Sequence, residues 1–205
     1  MGERKTNQVP DKQAGEWLDA FRKFSGTLKI RVNPMFMERK TWDMLSGAGH
    51  DMRIRIYFGI EDGPSGKPVQ CAYAVATVPD SQGVSRDQAG MIFRLDPVNR
   101  DFSSETGKVK THIRDWNTWR NDNDPEEQGK NKFPTAFLLH ATDLSTLFMK
   151  NNKSKVKLDF GLESDVNLLM YGESTGLKTA DQSGYYDFSS PCPPYCDPES
   201  PFNEW

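Results

Sequence analysis

Met52-Arg53-Ile54-Arg55-Ile56-Tyr57-Phe58 leads into Gly59-Ile60 and then the turn-rich Glu61-Asp62-Gly63-Pro64-Ser65-Gly66-Lys67-Pro68. Val69-Gln70-Cys71-Ala72-Tyr73-Ala74-Val75-Ala76-Thr77-Val78 follows, and the reading of this stretch decides the fold. Met52, Ile54, Ile56 and Phe58 alternate with Arg53, Arg55 and Tyr57, the period of two that a half-buried strand requires. The second run is rich in β-branched and aromatic residues and contains no Gly or Pro. Together they predict a β-hairpin. Its second strand has unlike faces: Val69, Cys71, Tyr73, Val75 and Thr77 on one, Gln70, Ala72, Ala74 and Ala76 on the other. A row of alanines offers little volume, so whatever covers it comes close. A packed helix is the expected cover, and a subunit contact is the alternative.

Upstream, Ala14, Trp17, Leu18, Phe21 and Phe24 fall at helical spacing after Asp11, and Gly26 closes that helix. Leu28, Ile30 and Val32 form a short strand or extended link. Asn33-Pro34 reads as a helix start, with Met37, Thr41, Met44 and Leu45 as the apolar face and Gly47 at the end. Downstream, Pro79 to Gly90 is polar and loop-like, and Met91 to Leu95 is a short strand. Val109, Ile113, Trp116 and Trp119 (or Arg120) return to helical spacing, while Asn121 to Lys132 is too polar to bury. Asp122 and Asp124 in that run lack the glycine and distal glutamate of a calcium loop. Phe133 to Ala141 reads as a strand. Val156 to Leu162 and Val166 to Met170 alternate around Glu163-Ser164-Asp165 and make a second hairpin.

These elements predict an α+β fold: a mostly antiparallel sheet of at least four strands, in two hairpins, with helices packed on it. Residues 1–10 read as a flexible N-terminus and 11–184 as one α+β domain with a charged, loop-rich insertion at about 79–132. Residues 185–205 read as an extended Pro-rich and aromatic tail.

Composition limits the classes of function. Apolar residues make up 36% and aromatic residues 11%, and the mean hydropathy is −0.73, which fits a real core with long polar loops. Twenty-six basic residues are scattered among twenty-nine acidic ones for a net charge of −3. No basic field exists to draw nucleic acid or an anionic membrane. No apolar run approaches the ~18 residues of a membrane span, and the polar opening residues lack a secretory signal's apolar core. A soluble cytoplasmic protein is the expectation.

The tail is unusual. Five prolines lie in Pro191-Cys192-Pro193-Pro194-Tyr195-Cys196-Asp197-Pro198-Glu199-Ser200-Pro201-Phe202-Asn203-Glu204-Trp205, which forbids a helix and any central strand. Extended, polyproline-like structure remains. Tyr186, Phe188, Tyr195, Phe202 and Trp205 give this stiffened chain apolar anchors, and stiffness lowers the entropy lost on docking. Cys192 and Cys196 are one residue further apart than a Cys-x-x-Cys redox pair and have no helix start beside them. They read as free thiols, a disulfide, or a share of a metal site that would need further ligands.

Three stretches together resemble a family of small bacterial proteins, mostly of the Bacteroidota, that end in Cys-Pro-Pro-x-Cys. They are Trp17 to Arg22, Arg55-Ile56-Tyr57-Phe58-Gly59-Ile60-Glu61, and Cys192-Pro193-Pro194-Tyr195-Cys196. The resemblance implies a soluble α+β protein with that terminal motif and implies no activity.

The sequence has no phosphate loop, dinucleotide fingerprint or His-Glu-x-x-His. No catalytic residue and no cofactor is assigned. Arg53, Arg55 and Tyr57 share one strand face near His50. They read as an anion-binding strip of a ligand site or enzyme, or as residues paired with acids across the sheet, the latter preferred. The leading reading is a non-catalytic interaction or self-assembly protein whose sheet and tail are contact surfaces. Its partner is another copy, in an oligomer or filament, or a different protein, with no nucleic acid and no membrane. The alternatives are the ligand site beside Arg53, Arg55, Tyr57 and His50, and a metal- or redox-responsive tail through Cys192 and Cys196.

Overall fold

The central hairpin forms between β3 (Arg53–Asp62) and β4 (Pro68–Pro79), paired from Arg53 opposite Thr77 to Asp62 opposite Pro68. In this computed structural model, residues 8–49, 51–63, 66–123, 133–140, 144–150, 152–173, 184–187, 189–192 and 197–202 are described. Among them the hairpin is joined by β5 (Ser85–Arg94), β6 (Arg100–Asp101), β7 (Ala136–His140) and β11 (Ser189–Cys192). The resulting six-stranded sheet runs β11-β7-β3-β4-β5-β6. A second, five-stranded sheet is built from β1 (Gln8–Val9), β2 (Met35–Glu38), β8 (Lys155–Leu162), β9 (Val166–Glu173) and β10 (Tyr185–Tyr186) in the order β1-β10-β9-β8-β2. All named strand pairs in both sheets are antiparallel. The α+β class holds.

The sheets lie face to face. Ile54, Ile56, Phe58, Ala72, Ala74 and Ala76 share one core with Met35, Met37, Leu158, Leu168 and Met170 of the other sheet. The Phe58 and Phe160 rings meet across the gap with centroids 5.0 Å apart. Sheets pack about 10 Å apart, and small side chains on one leave room for large ones on the other. The alanine row is therefore covered chiefly by the second sheet, not by a helix alone. Trp42 and Leu45 of α2 (Arg39–Ser46) join the same core.

Helices cover the outer faces. Ala14 of α1 (Asp11–Ser25) is buried with Val9 and Leu169, with Trp17 and Leu18 packed against them. Val109 and Ile113 of α3 (Thr106–Asn123) are buried with Tyr57, Cys71, Tyr73 and Val75. Gly59 permits the close approach of α3, because a Cβ there would lie 2.8 Å from the His112 Cβ. The layers are helix, sheet, sheet, helix. This arrangement corrects the half-buried reading of β3: its second face is also covered, and Arg55 is 1% exposed and Tyr57 0%.

Four local expectations change as well. Pro34 does not open a helix. Met35–Glu38 pairs with Lys155–Leu158 as an edge strand, which turns Met35 and Met37 into the core, and the helix begins at Arg39. The stretch read as a loop from Pro79 to Gly90 contains the first half of β5, which starts at Ser85 after a register shift between Val75 and Thr77. Asp87 lies opposite Thr77 and finds buried polar partners in Arg55 and Tyr57, which keeps this polar run in the sheet. Consequently the described part of 79–132 is integral to the fold: β5 pairs with β4, and α3 covers the hairpin. At the N-terminus, Gln8 and Val9 are not loose, since they pair with Tyr186 and Tyr185. Asp124 and the rest of 124–132 lie outside the described residues. No helix among those described is long and apolar enough to cross a membrane.

Candidate functional site

The C-terminal segment contributes to both sheets before it reaches its seat. Tyr185–Tyr186 inserts between β1 and β9, and Ser189–Cys192 pairs with β7 at the edge of the six-stranded sheet. Proline is tolerated at such an edge, because its missing N–H removes no bond from a central ladder; Pro191 lies there, opposite Phe137. Asp197 to Phe202 then settles beside β5 on the outer face of that sheet.

Asp197 organises this last stretch. Its carboxylate accepts from Arg86 Nη1 and from the Asp87 backbone N–H, each at 2.9 Å, and from the Glu199 N–H at 3.0 Å. The Ser200 N–H donates to the Asp197 carbonyl at 3.1 Å, and the Phe202 N–H donates to Ser200 Oγ at 3.1 Å. These bonds fix the path of the chain, and the Phe202 side chain drops into the core beneath α3 with Tyr57, Tyr73 and Phe102.

Under Ser200 lies a buried polar cluster on β3 and β5. Arg55 donates through Nη1 to Asp87 and through Nη2 to the Ser85 carbonyl at 3.1 Å. Tyr57 donates its hydroxyl to Asp87 Oδ2 at 2.6 Å. Ser200 donates to the same carboxylate oxygen, and its Oγ lies 3.0 Å from the Tyr57 hydroxyl. The Asp87 carboxyl is pushed up by burial, and Arg55, Ser200 and Tyr57 oppose that rise. Burial and the Asp87 charge push the Tyr57 phenol far above its ordinary value, so it remains a donor. Such a group holds together because every charged or polar head finds a partner. Removing one partner strands the others in low dielectric.

A second buried group lies on the same outer face, under α3. The Tyr73 hydroxyl sits 2.6 Å from His112 Nδ1, with Cys71 Sγ 3.7 Å from that nitrogen. Burial lowers the His112 pKa and raises the Tyr73 phenol. Both groups are therefore neutral, and the phenol and Nδ1 share one hydrogen bond. Burial pushes the Cys71 thiol up to about 12, which leaves it protonated and unsuited to nucleophilic or ligand chemistry at neutral pH. Nearby, Arg94 grips Glu61, with Nη1 to Oε2 at 2.8 Å, and reaches Asp96 at 3.2 Å. Asp96 in turn accepts the Ala72 N–H at 2.8 Å. These contacts tie the hairpin to the chain that follows β5. Among the described residues, no three His, Cys, Asp or Glu side chains converge to hold a metal ion.

The residues singled out in the sequence are distributed as follows. Arg55 and Tyr57 do converge, but on Asp87 within the chain; this closes the strip to an external anion and leaves the cross-strand pairing. Arg53 lies at its margin, 3.3 Å from Ser85 Oγ. Phe202 is seated, and Tyr186 is half-buried against the inter-sheet core. Cys192 lies in β11 opposite Ala136. His50, Phe188, Tyr195, Cys196, Trp205 and the Cys192 side chain lie outside the described residues. Sequence reading missed Asp87, Asp197 and Ser200. The turn pattern Asp197-Pro198-Glu199-Ser200 was the available signal for two of them. Two arginines on one covered strand face were the signal that an acid must lie opposite.

Comparison with protein-family models, with curated proteins and with solved structures finds no match to this chain.

Proposed function

We propose that this chain is a non-catalytic, soluble cytoplasmic interaction protein that self-assembles by exchanging its C-terminal segment between copies. The observation that carries the reading is the seat of Ser200 and Phe202: a buried aromatic cluster and a buried carboxylate, both on rigid strands, whose contacts are completed by a short segment at the end of the chain. A seat of this kind accepts the same segment from a second copy at no cost in contacts, which is the logic of domain swapping. The resulting partner is the protein itself, in a closed oligomer or an open filament according to whether the exchange closes. The position of Arg55 and Tyr57 supports this reading over a ligand site at the same place, because their polar heads are engaged with Asp87.

The test is removal of residues 197–205 with strands β10 and β11 retained. Light scattering on the full chain should give an assembled mass, and the shortened chain should be monomeric with an unchanged circular dichroism spectrum. A peptide covering residues 193–205 should then bind the shortened chain. A shortened chain that keeps both the mass and the fold of the parent would reject assembly through this segment.

A further inference from the structure

Two layers away from the seat of Phe202, on the outer face of the five-stranded sheet, a cleft of about 390 Å³ opens between α1, the Val32-to-Pro34 link and strands β8 and β9. Its floor is set by strand register. Lys157 stands directly opposite Tyr171, and Asp159 lies two residues further along the same face. The three polar heads meet: Lys157 Nζ is 2.7 Å from Asp159 Oδ2, and the Tyr171 hydroxyl donates to the same oxygen at 3.2 Å. Burial works against the Lys157 ammonium, but hydrogen bonds to Asp159 and Tyr171 outweigh it and its pKa is raised. Burial pushes the Tyr171 phenol up to about 12. The floor thus holds a cation, an anion and a neutral donor.

The walls are mixed, with Ser25 and Asn33 beside apolar side chains. Leu18 and Phe21 of α1 form one side and Pro34 belongs to the other. Arg22 stands at the mouth, bound to Asp19 at 2.6 Å in a pair whose side chains are 77% and 63% exposed. A pair so open to water contributes little, so the guanidinium is free to turn inward. Lys157 and Arg22 against Asp159 leave the lining with one surplus positive charge once Arg22 turns away from Asp19, which lies outside the lining. A cationic ligand would meet two cations, and a dianion would exceed the surplus and face Asp159. The volume sits near the lower end of ligand pockets, roughly 300–1,000 Å³, which suits a small acid better than a nucleotide or peptide.

We propose that this cleft binds a small monocarboxylate with an apolar ring, the ring against Leu18 and Phe21 and the carboxylate between Lys157 and Arg22. The inference is independent of the exchanged C-terminal segment.

Amide-resolved NMR titration of the full chain with benzoate, phenylacetate and indole-3-acetate tests it, with phenylacetamide as the uncharged control. At least one acid should shift resonances of α1, β8 and β9, and the amide should bind about tenfold more weakly than phenylacetate or worse. Lys157→Met should weaken the acid by about tenfold and leave the amide unchanged, while Lys157→Arg should restore the acid. Leu18→Trp should fill the cleft and abolish binding while the circular dichroism spectrum stays that of the parent. If Lys157→Met fails to fold, Lys157→Arg and Leu18→Trp decide the matter. Shifts absent with all three acids, equal binding of acid and amide, or binding that survives Leu18→Trp would each overturn the proposal.

Discussion

The Phe202 ring lies 5.4 Å from the Tyr57 ring, centroid to centroid, at an interplanar angle of 55°. A residue near the end of the chain is thus packed as a core residue against the middle of the central strand, with 1% of its surface exposed. Phe202→Ala removes that ring and leaves a void among Tyr57, Tyr73 and Phe102. Replacements of this kind cost about 3–5 kcal/mol. Urea unfolding should show a lowered midpoint with an unaltered slope, since the rest of the fold is intact.

Asp87 holds a buried guanidinium, a phenol and the Ser200 hydroxyl. Asp87→Ala should cost about 3–5 kcal/mol, because the Arg55 charge is left without a counter-ion in a dry site. Ser200→Ala, which removes one neutral donor, should cost about 1 kcal/mol. The double variant Arg55→Met with Asp87→Leu should recover most of the loss of Asp87→Ala. Equal midpoints for Asp87→Ala and Ser200→Ala would show that the ion pair has no special weight.

His112 gives the fold a dependence on pH. Its folded pKa lies below the ordinary value of 6.5 because burial disfavours the charged ring. The stability from this neutral ring is fully present above about 6.5 and is lost as pH falls through the folded pKa. In that window the unfolded chain takes up a proton that the folded ring refuses, with a slope of up to about 1.4 kcal/mol per pH unit. Denaturation series between about pH 7.5 and 5.5, compared with those of His112→Leu, should show this slope in the parent and its absence in the variant.

Gly59 faces the backbone of α3. An added Cβ would lie 2.8 Å from His112 Cβ, 2.9 Å from Cys71 Sγ and 3.2 Å from the His112 carbonyl carbon. Helix backbone cannot swing away as a side chain can, so Gly59→Ala should destabilise by about 1–3 kcal/mol. A thermal melt reads it directly. An unchanged melting temperature would mean that α3 rides further from the sheet.

Cys71 should be silent to thiol reagents in the native state, being fully buried with its pKa near 12. Native labelling followed by peptide mass mapping should find it unmodified, and labelling in denaturant should modify it. Rapid native modification at Cys71 would show that the layer of α3 opens readily.

Both hairpins were legible because each is local: alternation and turn residues lie side by side in the chain, as between Lys155 and Glu173. The helix carrying Trp116 was legible from its spacing. Three things were not. The pairs β3 with β7 and β2 with β8 join strands far apart in sequence, and one sequence carries no register for such pairs. The short strand Met35–Glu38 follows a proline that favours a helix start, and only the open edge of β8 draws it into a sheet. Above all, a period of two tells which residues share a face and not whether the second face is wet. That is why the sequence leaves Arg55 and Tyr57 as either an anion-binding strip or pairs with acids across the sheet, and does not show that both are buried. Asp87 was hidden for the same reason, since a buried acid in a polar run looks like a loop. Phe202 was legible as an anchor; its seat was not.

The pairing of residues 185–192 with both sheets bears on how the protein is made. A nascent chain that has emerged only as far as Gly184 carries β7 and β9 without their outer neighbours. Bare strand edges of that sort template pairing with other chains. Residues 185–192 therefore act as a cover for two sheet edges as well as a lead to the seat of Phe202.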